Sequence, residues 1–382
     1  MNTTALTSWD RRAWKPVHAL AGLTLASVLV ACGGSDEPAL NSSARSAPAA
    51  QARPNEAAAQ APKRSVQSGD VRGVTALTLS RDQIRVGVAS ADGQVSVLNT
   101  AGKEIKQLQS AGGPITTGLV FSANDQYLVA VSRDSSATAW NVETGERRFS
   151  LKGQEHALRS VSASADGSLI ATGGEETRVM LWDGSNGRLK QILRGPTDFV
   201  NSVSVSADAR YVASGDANAV VFVWNVATGK ILHTLRGHQT EVNAVTFSAN
   251  SRWLASADQS GKVMLWELAN GRSQGALVGQ QAAVRSLAFD SDSAWLASGA
   301  IDGKVVVWDV ATRVELPSVA GWRVGVGSGG GATTAAPKPF LGGTGGAAVN
   351  TLAFAAGSIP QLLVGNDDSH VRSLSVQSAA RR

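Results

Sequence analysis

The sequence predicts an all-β protein built from repeated four-stranded units. Five tryptophans lie 42 residues apart, namely Trp140, Trp182, Trp224, Trp266 and Trp308. Each ends an alternating apolar segment and is followed by Asn, Asp or Glu. The 40 glycines among 382 residues suit many short strands joined by tight turns. A fixed period of this length indicates one structural unit per period.

The fifth repeat illustrates the four strands. Residues 242–248, 253–257, 262–268 and 273–278 alternate or are apolar, and short polar or glycine-containing turns separate them. Stepping back one period from Trp140 reaches Leu98, and residues 371–376 form a further copy after Trp308. The period therefore predicts seven repeats.

An insertion separates the last repeat from the sixth. Residues 322–346 are extra between the sixth and the last repeat, and they are rich in Gly, Ala and Thr, with the apolar residues Trp322, Phe340 and Leu341. We weigh two interpretations: an arm that orders on contact with a partner, or an insertion tolerated because added loop length costs little.

Residues 63–376 resemble the WD-repeat family. The resemblance rests on four strands per 42 residues, on Gly237-His238, and on Trp266-Glu267 at the end of a third strand. It implies a seven-bladed β-propeller of four-stranded antiparallel blades, spanning residues 62–378 and followed by a short tail at 379–382. Residues 63–69 align with a fourth strand, so the resemblance implies that an N-terminal strand completes the last blade and closes the ring.

The resemblance also implies a structural hydrogen-bonded chain of His, Ser or Thr, Asp and Trp in a blade. Six residues before the tryptophan position, Asp occurs in four repeats, whereas the fifth repeat has Ser260. His occurs at its position only as His238. We therefore expect no repeat to hold all four residues, and we expect these repeated polar residues to be structural rather than catalytic.

The N-terminus predicts export and lipid anchoring. Arg11, Arg12 and Lys15 precede an apolar stretch, residues 17–31, that is too short to span a bilayer comfortably. Its end, Leu29-Val30-Ala31-Cys32, resembles the lipobox of bacterial lipoproteins. The resemblance implies that residues 1–31 are a signal peptide, that Cys32 carries acyl chains, and that Gly33 directs the protein to the outer membrane, facing the periplasm. A chance cysteine after an ordinary signal peptide is the alternative.

Residues 32–61 lack apolar periodicity, which is typical of a disordered tether.

The composition excludes several kinds of chemical site and partner. The formal net charge is +5, and residues 1–31 carry about two of those charges, so a nucleic-acid partner is not expected. Cys32 is the only cysteine, which excludes an internal disulfide and a multi-cysteine metal site. We find no nucleophile motif, phosphate-binding loop or metal-spaced histidines, and we predict no catalytic residue, metal or cofactor.

A mixed polar rim is the predicted partner-binding site. Repeat spacing places one set of side chains beside the start of each first strand and a second set before the Asp position. From these two sets together we predict that the partner-binding residues are Arg133, Arg159, Glu175, Phe199, Asn201, Glu241, Asn243, Arg285, Asn350 and Asp367. Aromatic and arginine side chains are frequent hot spots of protein interfaces, whereas an ordinary solvated loop face is the plainer interpretation.

These observations favour a non-catalytic function. We predict a lipid-anchored protein of the cell envelope that acts as an interaction scaffold or as an accessory subunit of an envelope complex, with envelope proteins and the membrane as partners. The alternative is a periplasmic enzyme or a small-ligand-binding propeller that uses the central channel.

Overall fold

The computed structural model describes residues 73–100, 102–109, 113–316, 319–322, 347–355, 361–367 and 371–376. All of them belong to the unit Pro62–Arg382. They form 27 strands in antiparallel sheets, and the sheets follow one another in chain order. Within these ranges, no helix has the length and apolarity needed to cross a bilayer.

The first three sheets each contain four consecutive strands. Their strands are β1 (Val74–Leu79), β2 (Arg85–Ser90), β3 (Val95–Asn99), β4 (Glu104–Gln109); β5 (Thr116–Phe121), β6 (Tyr127–Ser132), β7 (Ala137–Asn141), β8 (Arg147–Ser150); and β9 (Leu158–Ala163), β10 (Leu169–Gly174), β11 (Arg178–Asp183), β12 (Leu189–Arg194).

The fourth and fifth sheets follow the same pattern, and the next sheet stops after three strands. Their strands are β13 (Val200–Val205), β14 (Tyr211–Asp216), β15 (Val220–Asn225), β16 (Ile231–Arg236); β17 (Val242–Phe247), β18 (Trp253–Asp258), β19 (Val263–Glu267), β20 (Arg272–Leu277); and β21 (Val284–Phe289), β22 (Trp295–Ala300), β23 (Val305–Asp309). The last sheet contains β24 (Val319–Trp322), β25 (Val349–Ala355), β26 (Gln361–Asn366) and β27 (Val371–Val376).

The number of four-stranded blades differs from the prediction. The propeller architecture is confirmed, but the prediction of seven four-stranded blades is wrong, because the described residues form six four-stranded blades and one three-stranded sheet. The period assigns a fourth strand to the three-stranded sheet near residues 314–319. There the chain makes a single bridge, Trp308 to Glu315, and then leaves β23.

The predicted closure by an N-terminal strand is also wrong. The outer position of the last sheet is taken by β24, which pairs with β27 from Val319↔Val376 to Trp322↔Ser373. Trp322 thus lies in a strand and not in the inserted loop. Residues 63–69 and 323–346 lie outside the described part of the chain.

The core lies between sheets. Each cluster of buried apolar side chains is built from two adjacent sheets; one joins the third and fourth sheets around Leu181, Val203 and Trp224. Another joins the first and last sheets through Val74 and Leu363, so the packing closes on itself. Trp182, Trp224 and Trp308 are fully buried, which explains the 42-residue period as a requirement of packing.

The turn between third and fourth strands shows where one sheet departs. Five of these turns contain a glycine at positive φ: Gly102 and, 42 residues apart, Gly145, Gly187, Gly229 and Gly271. The equivalent residue in the three-stranded sheet is Arg313, at a φ of 63°. A side chain in this conformation is unfavourable, and this turn leads into the segment that leaves β23.

Candidate functional site

The channel mouth is built by a repeated irregularity in the first strands. Each first strand shifts its pairing register one residue after its start, and the residue skipped is a β-bulge. A bulge turns its side chain away from the regular strand face. We call these residues the bulge ring: Thr75, Thr117, Arg159, Asn201, Asn243, Arg285 and Asn350. All of them line one cavity of about 250 Å³ at the centre of the sheets.

Most of the bulge ring ties neighbouring sheets together. Thr117 Oγ1 donates to Leu158 O at 2.8 Å, and Asn350 Nδ2 donates to Val74 O at 2.8 Å. Asn201 and Asn243 make the same bond to the next sheet, at 3.3 and 3.2 Å. The first strand of each sheet is an edge strand toward the channel, so its carbonyls need partners from outside its own sheet. Asn201, Asn243 and Asn350 of the predicted rim therefore have a structural role.

Arg159 organises a cluster at this mouth. Its guanidinium donates to Asn201 Oδ1 at 2.9 Å and to Glu175 Oε1 at 3.1 Å. The same group lies 5.0 Å from the centre of the Phe199 ring, within the range of a cation–π contact. Phe199 is 40% exposed. Four predicted rim residues are thus in contact, and the exposed aromatic ring is held by a cation.

Arg285 repeats part of this arrangement without the acid. Its Nη1 donates to Asn350 Oδ1 at 2.5 Å, and Asn350 Nδ2 donates to Asp367 Oδ1. Of the carboxylates in the described ranges, none forms a salt bridge with Arg285. The residue that corresponds to Glu175 in this sheet is Ile301, which is exposed.

A second repeated bond positions the rest of the rim. The residue after each second strand donates its N–H to the residue before the first strand, as in Arg133 N to Ile115 O at 3.0 Å and Gln259 N to Glu241 O at 3.0 Å. The same bond places Glu175 and Asp367. Arg133 and Glu241 are exposed on this rim and do not line the cavity. Cys32 lies outside the described residues.

The structure corrects the prediction that no repeat holds the complete four-residue chain. In the fifth sheet, His238 Nδ1 bonds Asp258 Oδ2 at 2.7 Å, His238 Nε2 bonds Ser256 Oγ at 2.6 Å, and Trp266 Nε1 donates to Ser256 Oγ at 2.7 Å. The repeat spacing predicts the aspartate at position 260, whereas Asp258, two residues earlier, fills this role. Asp258 is the last residue of β18 and lies two residues after Ser256, and an aspartate at that position is the sequence signal for it.

Burial and hydrogen bonds determine the protonation of this pair. Burial lowers the pKa of His238 below its ordinary value, although Asp258 opposes that shift. Burial raises the pKa of Asp258, but donors from Ser260, His238 and Lys262 outweigh it and leave that pKa lowered. The pair is therefore a neutral imidazole beside a carboxylate. It lies inside a sheet and not at the channel, so it serves the scaffold.

The channel mouth is suited to binding rather than to proton transfer. Its lining contains Arg, Asn, Thr and Ser side chains but no Asp, Glu or His. Among the described residues, no group of three or more His, Cys, Asp or Glu side chains is arranged to hold a metal ion. General acid–base chemistry requires a titrating group within hydrogen-bonding reach of the substrate, and the described lining offers none.

The matches of this chain to a known protein family recur with the same 42-residue period. Four stretches of the chain match the WD domain, G-beta repeat family, at residues 145–183, 187–225, 229–267 and 271–309. Each one begins at the turn before a fourth strand and ends with the third strand of the next sheet. A sequence repeat thus spans two sheets, and its matches support the WD-repeat β-propeller architecture.

A relative supports the same architecture. An uncharacterized WD repeat-containing protein of Synechocystis sp. is 30% identical over 106 residues, which is 27% of this chain and 30% of the relative. The chain therefore matches less than a third of that protein's length.

Proposed function

We propose that this WD40-repeat chain is a non-catalytic protein-binding propeller that presents its channel rim to a partner. The observation that carries the proposal is the cluster of Arg159, Glu175 and Phe199. WD40 propellers commonly mediate protein interactions, and the rim here offers the residue types that dominate such interfaces.

The cluster is ordered before any partner arrives. Glu175 and Asn201 hold the guanidinium of Arg159, which in turn lies against the Phe199 ring. A side chain that is already fixed loses little conformational entropy on binding. When a partner covers an exposed aromatic ring in such a setting, most of the free energy gained by burying its apolar surface contributes to the affinity. Ile115 and Ile301, 40% and 41% exposed, add apolar surface to the same rim.

The finer proposal concerns the location of the protein. The lipobox-like segment ending at Cys32 supports a lipid-anchored protein of the cell envelope, which would act as a scaffold or accessory subunit there. Several acyl chains on one residue give stable anchoring, whereas a single chain gives marginal binding. Residues 32–61 would then separate the propeller from the bilayer surface.

One experiment tests both parts. The full chain is expressed in bacteria, crosslinked in intact cells and captured from the membrane fraction. Phe199→Ser should reduce the captured partner by more than about tenfold, because truncating a hot-spot aromatic costs about 2 kcal/mol or more. Leu232→Ser is the matched control, because Leu232 is an apolar residue, 45% exposed, on the outer strand β16. Cys32→Ser should move the protein out of the membrane fraction.

Two results would contradict the proposal. Equal capture by the Phe199 and Leu232 variants would show that the rim is not the binding surface. Normal processing and membrane fractionation of the Cys32 variant would rule out anchoring through that residue.

A further inference from the structure

The charge of the channel mouth is unbalanced. Arg159 and Arg285 are the charged residues in the cavity lining, and both are positive. Glu175 neutralises Arg159 through its bond of 3.1 Å. Arg285 has no such partner among the described carboxylates. The lining therefore keeps one guanidinium without a direct carboxylate partner, because Asn350 stands between it and Asp367.

The same guanidinium keeps free donors. Arg285 donates from Nη1 to Asn350, and no acceptor in the described part of the chain contacts its Nη2 or Nε. An arginine presents five N–H donors in a planar fork that fits a carboxylate or phosphate with two parallel bonds. Arg285 is thus able to hold an oxyanion without breaking its bond to Asn350.

The cavity limits the size of a ligand. The cavity of about 250 Å³ accommodates a small group and not a folded segment.

We propose that the channel mouth is a binding site for one carboxylate or phosphate group, held by the guanidinium of Arg285 within the bulge ring. The site goes beyond the proposed protein-binding function, because a free small oxyanion fills it without any partner protein. An acidic side chain of a bound protein supplies the same chemistry.

Titration of the purified full chain tests the site. The probes are inorganic phosphate and the blocked peptide acetyl-Gly-Asp-Gly-amide, and binding is measured by calorimetry at low ionic strength. We expect saturable binding to the wild type. Arg285→Gln should raise the dissociation constant by about tenfold or more, because it removes a charged, two-bonded contact. Arg133→Gln is the matched control, because Arg133 lies on the same rim outside the cavity lining.

The outcomes separate the sources and the failures. Tighter binding of the peptide identifies an acidic side chain as the natural ligand, and tighter binding of phosphate identifies a free oxyanion. Failure of both probes to saturate, or equal binding by the Arg285→Gln variant, overturns the proposal. Arg285→Lys retains the charge and should recover part of the affinity, and unchanged melting temperatures show that the variants are folded. Loss of partner capture in cells would leave these results intact.

Discussion

The fourth and fifth sheets are built alike but differ at one buried position. In the fifth sheet, His238 bridges Asp258 Oδ2 and Ser256 Oγ. In the fourth sheet, one period earlier, Pro196 stands in place of the histidine. Ser214 and Asp216 remain fully buried there. The atoms left without a partner are Asp216 Oδ2 and Ser214 Oγ, which correspond to the two atoms that His238 contacts.

The other carboxylate oxygen, Oδ1, accepts equivalent hydrogen bonds in both sheets. Asp216 Oδ1 accepts from Asn218 N and Val220 N, at 3.1 and 2.9 Å. Asp258 Oδ1 accepts from Ser260 N and Lys262 N, at 2.9 and 3.0 Å. Each aspartate thus closes the turn between its second and third strands. The imidazole bridge and the added hydroxyl donor of Ser260 distinguish the aspartate of the fifth sheet.

Because of this difference, the pKa values of the two equivalent aspartates are shifted in opposite directions. Burial raises the pKa of Asp216 against the backbone donors of Val220, Asn218 and Thr197. In Asp258, the added donors from Ser260 and His238 reverse that outcome and lower the pKa. A buried carboxylate is stabilised as an anion only when enough donors reach it. The fourth sheet keeps the aspartate for its turn and lacks the group that compensates it.

The largest expected effect comes from removing the bridged aspartate. Asp258→Ala should lower the free energy of unfolding by about 3 to 5 kcal/mol, because it leaves Nδ1 of His238 and the backbone N–H groups of Ser260 and Lys262 without their acceptor. Asp216→Ala is the matched variant, and it should cost at least about 2 kcal/mol less, because it also removes an uncompensated carboxylate. Urea denaturation at pH 7.5 measures both. Equal losses would mean that the bridge adds nothing beyond the turn.

A smaller effect is expected from replacing the bridge by the amide used elsewhere. Gln280 occupies this position in the three-stranded sheet and donates to Ser298 Oγ at 2.8 Å. His238→Gln should therefore keep the bond to Ser256 Oγ but leave Asp258 Oδ2 without a donor, at a cost of about 1 to 3 kcal/mol at pH 7.5.

The same variant should change the response to acid. The folded pKa of His238 lies below its ordinary value of 6.5, so the unfolded chain takes up the proton first. The stability is present above pH 6.5 and is lost as the pH falls toward the folded pKa, by up to about 1.4 kcal/mol per pH unit. Between pH 7.5 and 5.5, the wild type should lose stability that His238→Gln retains. Parallel curves for the two proteins would contradict a neutral buried imidazole.

The periodic features of the fold were predictable from the sequence. The tryptophans at 42-residue spacing predicted four-stranded sheets because each one fills the same place between sheets, as Trp182 and Trp224 do. What failed depends on competition between segments. The chain after Glu315 could pair with β23 or with β27, and the period alone assigned it to β23. A repeat period identifies equivalent positions, but it does not determine which of the two sheet edges, β23 or β27, the segment pairs with.

The candidate site was predictable in position and not in role. Spacing brought Arg159, Glu175 and Phe199 to one rim, and their contacts agree with that placement. Spacing did not reveal that Asn201 and Asn350 bond the next sheet, because a β-bulge leaves no mark in an alternating pattern. It also missed Asp258, because two nearby positions both suit a turn aspartate.

The smallest expected effect is a gain of stability in the fourth sheet. Asp216→Asn keeps an oxygen for Asn218 N and Val220 N and removes the uncompensated charge. Because the folded pKa of Asp216 is raised above its ordinary value of 3.8, its favourable contribution is present below pH 3.8 and is lost as the pH rises through the folded pKa. The variant should therefore exceed the wild type by about 0.5 to 1 kcal/mol at pH 7.5.

The pH dependence of that gain distinguishes charge from packing. The difference between Asp216→Asn and the wild type should shrink as the pH falls from 7.5 toward 4, because the wild-type carboxyl then becomes neutral in the folded protein. Asp258→Asn is the matched control, and it should destabilise at pH 7.5, because Asp258 is stabilised as an anion. A gain that stays constant with pH would assign the effect to a new amide bond to Ser214, and a loss at pH 7.5 would show that Asp216 has a donor for its second oxygen after all.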